Sequence, residues 1–236
     1  MDPGPPSLLS YLPMRGIEKM TPTIFIVDDD SSVRKSLERL LRASGYQTQA
    51  FASAEDFLAC RPCLNPKDPS CLVLDVRMPG ISGISLQQEL ANAGVILPIV
   101  FITGHGNIPM SVQAMKNGAV DFLPKPFAEE ELLNAVEQAL AKAARLQKEA
   151  AEKAEIRRRV KTLTPREYEV FRWVITGMLN KEIAAELKVT EKTIKVHRAR
   201  VMQKMKAASL ADLVRLAEKI GITPENPGSN PGSSVG

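Results

Sequence analysis

Cysteine is scarce in this sequence, three among 236 residues, and the odd count at Cys60, Cys63 and Cys71 leaves no disulfide framework. That usage suits a reducing compartment. Cys60-Arg61-Pro62-Cys63 is a lone CxxC: no second pair completes a zinc site, and no strand feeds directly into it as a thioredoxin-type centre requires. It reads first as an ordinary loop. Long hydrophobic runs are also missing, for no stretch approaches the ~18 consecutive apolar residues of a membrane helix. Leu8-Leu9-Ser10-Tyr11-Leu12 is too short and wrongly flanked for a signal peptide, so no membrane and a cytoplasmic location are expected.

What is present is a globular composition, 44% apolar and 25% charged, long enough for one large domain or two ordinary ones. The net charge of +4 conceals an asymmetry. Residues 1–140 hold 11 Lys and Arg against 16 Asp and Glu, whereas residues 141–222 hold 20 against 10. A polyanionic partner is therefore expected for the second half only.

Residues 1–19 are rich in Pro, Gly and Ser and read as a disordered leader, with Met20 a second candidate start. Residues 223–236 read as a disordered tail. Between them, apolar runs at 23–27, 46–51, 71–74, 99–102 and 120–123 alternate with helical patterns near 32–44, 54–60, 83–92 and 108–116. Ser31 and Ser53 are candidate N-caps, and Gly45 and Gly118 lie past helix ends. This predicts an α/β doubly wound domain over 20–140, with a five-stranded parallel sheet and ligands gathered beyond the carboxyl ends of its strands.

Residues 141–161 lack Gly and Pro and read as a helical linker. Leu133, Val136, Leu140, Ala143, Ala150 and Ala154 follow a 3/4 spacing broken by Gln147, which suits either a short coiled-coil seam or a solvated helix with i,i+4 ion pairs. Residues 162–222 read as an all-α domain of four short helices. Thr164-Pro165, Asn180, Thr190 and Ser209 stand as their starts, and Gly177 and Gly221 as stops.

Acidic residues and a lysine lie just past three strands: Asp28, Asp29 and Asp30 after the first, Asp75 after the third and Lys125 after the fifth. With the first strand central, they converge. Packed carboxylates repel and need a cation, and oxygen ligands favour magnesium. Such a site can neutralise a phosphoryl group while a carboxylate attacks phosphorus, with the lysine compensating further charge and the Thr103 hydroxyl nearby. Asp30 and Asp121 taken singly are cap or loop residues.

Ile26-Val27-Asp28-Asp29, Leu74-Asp75-Val76-Arg77-Met78-Pro79-Gly80, Phe101-Ile102-Thr103-Gly104 and Phe122-Leu123-Pro124-Lys125-Pro126-Phe127 resemble the successive motifs of two-component receiver domains. The resemblance implies a flavodoxin-like strand order 2-1-3-4-5 and Asp75 as phosphoacceptor. It implies Asp28, Asp29, Asp75 and the Arg77 backbone carbonyl around Mg2+, with Thr103, Lys125 and Phe122 sensing the phosphoryl group. Many receivers carry Asn where Arg77 stands and Tyr where Phe122 stands. The first departure spares a backbone ligand but can alter dephosphorylation; the second leaves a ring without a hydroxyl. His105 reads as a loop residue on a partner-facing surface, because the donor histidine belongs to a separate kinase.

Leu163-Thr164-Pro165-Arg166-Glu167, Asn180-Lys181-Glu182-Ile183-Ala184-Ala185-Glu186-Leu187 and Thr190-Glu191-Lys192-Thr193-Ile194-Lys195-Val196-His197 resemble the LuxR-type helix-turn-helix. Together the motifs are nearest the FixJ branch of the NarL/FixJ response regulators. On the third helix Ile194, Val201 and Met205 share one side by 3.6-residue spacing, while Lys192, Val196, Ala199 and Gln203 point away with Lys195 beside them. That mixture of donors and small apolar groups suits a major groove. Thr193, His197, Arg200, Lys204 and Lys181 flank it and are expected at phosphates.

The resulting expectation is a transcription regulator and not a conventional enzyme. A sensor histidine kinase or small phosphodonor phosphorylates Asp75, and the phosphorylated form is a homodimer that binds promoter DNA and activates transcription with RNA polymerase. An aspartyl-phosphate hydrolase would need Asp-x-Asp where this chain has Asp75-Val76-Arg77. A degenerate receiver would lack Asp29, Asp75 or Lys125.

Overall fold

Near-continuous apolar runs bounded by turn residues build central strands buried on both faces, and helices between the strands keep them parallel. The computed structural model describes residues 22–60, 68–104 and 108–223. The readings for residues 1–20, Cys63, His105 and 224–236 lie outside them.

The first unit, residues 1–147, contains β1 (Thr23–Val27), α1 (Ser31–Ala43), β2 (Gln47–Phe51), α2 (Ala54–Ala59), β3 (Ser70–Asp75), α3 (Gly83–Asn92), β4 (Ile99–Thr103), α4 (Ile108–Lys116) and β5 (Asp121–Pro124). The start of α5 (Glu129–Lys161) closes it. The five strands pair in parallel in the order β2-β1-β3-β4-β5, as expected. Alternate residues serve opposite faces. Ile24, Ile26, Val73, Val100 and Ile102 pack with Leu37 and Leu41 of α1 and Leu132, Val136 and Ala139 of α5. Phe25, Leu72, Leu74 and Phe101 pack with Phe57 of α2, Leu86 and Leu90 of α3 and Ala114 of α4.

The second unit begins at Lys148, inside α5. It adds α6 (Pro165–Val174), α7 (Asn180–Glu186), α8 (Glu191–Met205) and α9 (Leu210–Lys219). Val170, Phe171, Trp173 and Val174 of α6 meet Ile183, Ile194, Val201, Met205 and Leu213 in one core. Ile156 of α5 is 2% exposed in that same core.

Residues 141–161 therefore do not form a linker separate from both domains. Up to Gln147 the helix belongs with the sheet, where the Gln147 side chain donates to the Asp68 carbonyl at 2.7 Å. From Lys148 it belongs with the helical unit. The coiled-coil alternative loses its first half, because Val136, Leu140 and Ala143 are already buried, while Ala150 and Ala154 are exposed.

Most local starts follow the expected side chains. Ser53, Thr164, Thr190 and Ser209 cap α2, α6, α8 and α9, each accepting a backbone N–H with its hydroxyl. Two caps differ. Asp30 rather than Ser31 caps α1, because its carboxylate accepts from both Ser32 and Val33 N–H. Leu179 rather than Asn180 occupies the cap of α7; Asn180 is turned instead to Arg198, and Glu182 satisfies the Leu179 N–H.

Candidate functional site

Parallel pairing places the carboxyl ends of β1, β3, β4 and β5 along one edge of the sheet. Asp28 follows β1, Asp75 ends β3, Thr103 ends β4 and Lys125 follows β5. Asp28 is wholly buried, Asp75 is 5% exposed and Thr103 is buried with them. The Lys125 ammonium bridges the two carboxylates, 2.7 Å from Asp28 Oδ2 and 2.8 Å from Asp75 Oδ1. The remaining oxygens accept backbone N–H groups, Asp28 Oδ1 from Asp30 at 2.8 Å and Asp75 Oδ2 from Arg77 at 2.7 Å. Backbone also ties the edge together, Lys125 N–H donating to the Thr103 carbonyl at 2.7 Å.

The electrostatics follow from two buried carboxylates facing one ammonium. Burial holds the Asp75 carboxyl above its ordinary value, although the Lys125 contact pulls it down. Burial also acts to lower Lys125, but its bonds to Asp28 and Asp75 outweigh that and hold it protonated above the usual lysine value. The pocket is thus short of positive charge.

Asp29 and Arg77 are exposed at its rim. Among the described residues no three His, Cys, Asp or Glu side chains are gathered closely enough to hold a metal, and Lys125 lies between Asp28 and Asp75. The chemistry of the donors nonetheless fits a hard divalent cation: they are oxygens only, and they carry uncompensated negative charge. Phe122 is half-buried with its ring centroid 6.2 Å from that of Phe101.

In the helical unit α8 presents two faces. Ile194, Val201 and Met205 are buried in its core, as the spacing predicts. Lys192, Lys195, Ala199, Arg200 and Gln203 are exposed, and Val196 is an apolar side chain left 45% exposed among them. Lys181 of α7 is exposed too. Lys195 pairs with Glu191 one turn back at 3.0 Å, a solvated contact that can be exchanged at little cost. Thr193 shares a hydroxyl contact with the cap Thr190. His197 is half-buried, with its Nδ1 enclosed and without a hydrogen-bond partner.

Lys204 is placed differently from its expected position at a phosphate. Its ammonium donates to Glu167 Oε2 at 2.5 Å and to the Thr162 carbonyl at 3.0 Å. Glu167 is 2% exposed, and the Lys204 bond holds its carboxyl down at about 2. Lys204 compensates a charge inside its own domain.

Comparison with known proteins finds a family for each unit. Residues 24–137 match the response regulator receiver domain, and residues 161–217 match the LuxR family of bacterial regulatory proteins. The chain is 48% identical over 200 residues to nodulation protein W of Bradyrhizobium diazoefficiens, spanning 85% of this chain and 87% of that one. It is 43% identical over 202 residues to the transcriptional regulatory protein FixJ of Rhizobium meliloti, spanning 86% and 98%. The solved structure of the response regulator StyR is similar, with a TM-score of 0.72 and 49% identity over 84% of this chain and 99% of that one.

This chain belongs to the NarL/FixJ response regulators. Its first unit is a receiver domain and its second a LuxR-type DNA-binding domain. It is a transcription regulator rather than a conventional enzyme. Among the described residues no helix is long and apolar enough to cross a membrane.

Three residues of this response regulator's receiver pocket escaped the sequence reading. Arg34 of α1 donates through Nη1 to the Asp28 carbonyl at 2.6 Å, holding the strand end that carries the acidic pair. Gly83 begins α3 so close to β3 that a Cβ there would lie 2.2 Å from the Asp75 carbonyl oxygen. Its spacing after Pro79-Gly80 was the available signal. Glu55 of α2 accepts the Ile81 N–H, and no local pattern announces a contact across 26 residues. Cys60, at the end of α2, is disulfide-bonded, whereas Cys71 is free and its thiol is pushed by burial up to about 12.

Proposed function

We propose that Asp75 accepts a phosphoryl group from a sensor histidine kinase or a small phosphodonor, and that this step controls promoter binding by the LuxR-type domain. The convergence of Asp28, Asp75 and Lys125 from three strand ends supports this reading most strongly. A carboxylate oxygen of Asp75 forms the new bond to phosphorus. The bond from phosphorus to the donor's imidazole nitrogen, or to the carboxylate oxygen of acetyl phosphate, breaks, and its electron pair leaves with the donor. Lys125 keeps its charge and compensates the phosphoryl oxygens. Mg2+ held by Asp28, Asp29, Asp75 and the Arg77 carbonyl would supply the missing positive charge.

The Thr103 hydroxyl is drawn to the phosphoryl group, and Phe122 moves inward beside Phe101. These shifts reshape the surface around α4 and β5 and favour a homodimer. Lys192, Lys195, Val196, Ala199 and Gln203 then read the major groove, while Thr193, His197, Arg200 and Lys181 meet the backbone. We leave Lys204 out of that set because its ammonium pairs with Glu167. The dimer activates transcription with RNA polymerase in the cytoplasm.

Asp75→Asn is expected to abolish labelling of the purified protein by radiolabelled acetyl phosphate in the presence of Mg2+. Undiminished labelling of that variant would place the acceptor elsewhere.

A further inference from the structure

We infer that Glu55, an exposed residue of α2, is a positioning residue for the metal side of the receiver pocket; the inference rests on the magnesium reading above. The segment between β3 and α3 leaves the sheet at Asp75 and returns at Gly83. Its two ends are held by the pocket itself. Arg77 N–H donates to Asp75 Oδ2 at 2.7 Å, and Gly83 N–H donates to the Val76 carbonyl at 3.0 Å, with no room for a side chain at Gly83.

The middle of the segment is held from another element. Glu55 Oε1 accepts the Ile81 N–H at 3.1 Å. The same oxygen lies against the bare backbone of Gly80, where a Cβ would come within 2.5 Å of it and where φ is +74°. Glu55 itself is carried on a fixed support. Ser53 caps α2 through the Asp56 N–H, and Phe57 is buried against Phe25 and Phe51.

This arrangement matters because the proposed Arg77 ligand is a carbonyl, which has no side-chain torsion to adjust. Its position is the position of the segment. Residues that orient ligands from one layer out typically change metal affinity 10–100-fold when removed. An exposed hydrogen bond lies at the lower end of that range.

The test uses the full chain and titrates Mg2+ alone, with no phosphodonor, by calorimetry, alongside thermal unfolding without metal. Glu55→Ala is expected to weaken Mg2+ about tenfold while leaving the metal-free melting temperature nearly unchanged. Glu55→Gln, whose amide oxygen can still accept the Ile81 N–H, is expected to restore most of the affinity. Wild-type affinity in Glu55→Ala overturns the inference and leaves the magnesium reading standing. Equal weakening in both variants also overturns it, because a distant charge effect would then explain the loss. If the wild type itself shows no saturable Mg2+ binding, the magnesium reading falls and this inference with it.

Discussion

An aspartate at the end of a strand is ordinary; Asp75 differs through what surrounds it. Lys125 reaches it from 50 residues away, Arg77 N–H holds its second oxygen, and Gly83 presses against its carbonyl. The last contact is steric and has a direct test. A methyl at Gly83 would meet backbone, which cannot rotate aside, so Gly83→Ala is expected to lower stability by about 1–3 kcal/mol in urea unfolding and to reduce acetyl-phosphate labelling. Gly104→Ala is the control, since among the described residues nothing lies within 4 Å of a Cβ there; equal effects of the two substitutions would remove the steric account. In the other domain Glu167 makes a titration test possible. Its carboxyl is lowered from 4.5 to about 2, so its contribution to folding is complete above 4.5 and disappears as pH falls toward 2. Trp173 is the single tryptophan and is buried in that domain, so its fluorescence follows that unit alone. Its urea midpoint is expected to fall between pH 5 and pH 2, and Glu167→Gln is expected to flatten that dependence. An unchanged slope in the variant would assign the acid sensitivity to other carboxylates.

The elements show which kinds of information are local. Strands announced themselves as apolar runs between turn residues, and Ser53, Thr164-Pro165, Thr190 and Ser209 marked helix starts because a cap is made within three residues. Asp28, Asp75, Thr103 and Lys125 were legible for a similar reason: each sits at a strand end, and parallel order then brings the ends together. Distant partners were not legible. Asn180 carries a capping side chain, but Arg198 of α8 takes it. Lys204 looks like a surface cation until Glu167, 37 residues earlier, is found beneath it. The domain boundary within α5 was hidden by uniform Ala, Glu, Lys and Arg composition with no break in helical pattern. Only the structure shows Ile156 entering the second core and Arg159 donating to the Met205 carbonyl at the end of α8. The α5 end therefore belongs to the fold that presents α8. Ile156→Ala is expected to destabilise the transition reported by Trp173 by about 2–5 kcal/mol. A variant with the wild-type midpoint would restore residues 141–161 to the status of a mere connector.

At the scale of the whole molecule the charge asymmetry separates two properties of DNA binding. The basic excess of residues 141–222 favours any duplex, and each phosphate neutralised adds about 0.9 to the slope of log affinity against log salt. The base contacts proposed for Lys192, Val196 and Gln203 would change affinity for one sequence more than they change that slope. The phosphorylation proposed at Asp75 touches neither set of residues, so its effect would arise from how many copies engage one DNA or from whether a single copy can engage it. These alternatives predict different salt dependences. If the active state is a dimer on two half-sites, the number of phosphates contacted doubles and so does the slope. If the receiver merely releases one DNA-binding domain, the intercept moves and the slope stays. With a duplex selected from a random pool by the full chain, beryllofluoride and Mg2+ are expected to raise affinity and roughly double the salt slope. Arg200→Ala, exposed on α8 and proposed at a phosphate, is expected to reduce the slope by about 0.9 per copy bound, a loss of about 1.8 in the activated state and half that without it. A slope unaffected by beryllofluoride, with higher affinity, would replace dimerisation by release of a single DNA-binding domain as the output of Asp75.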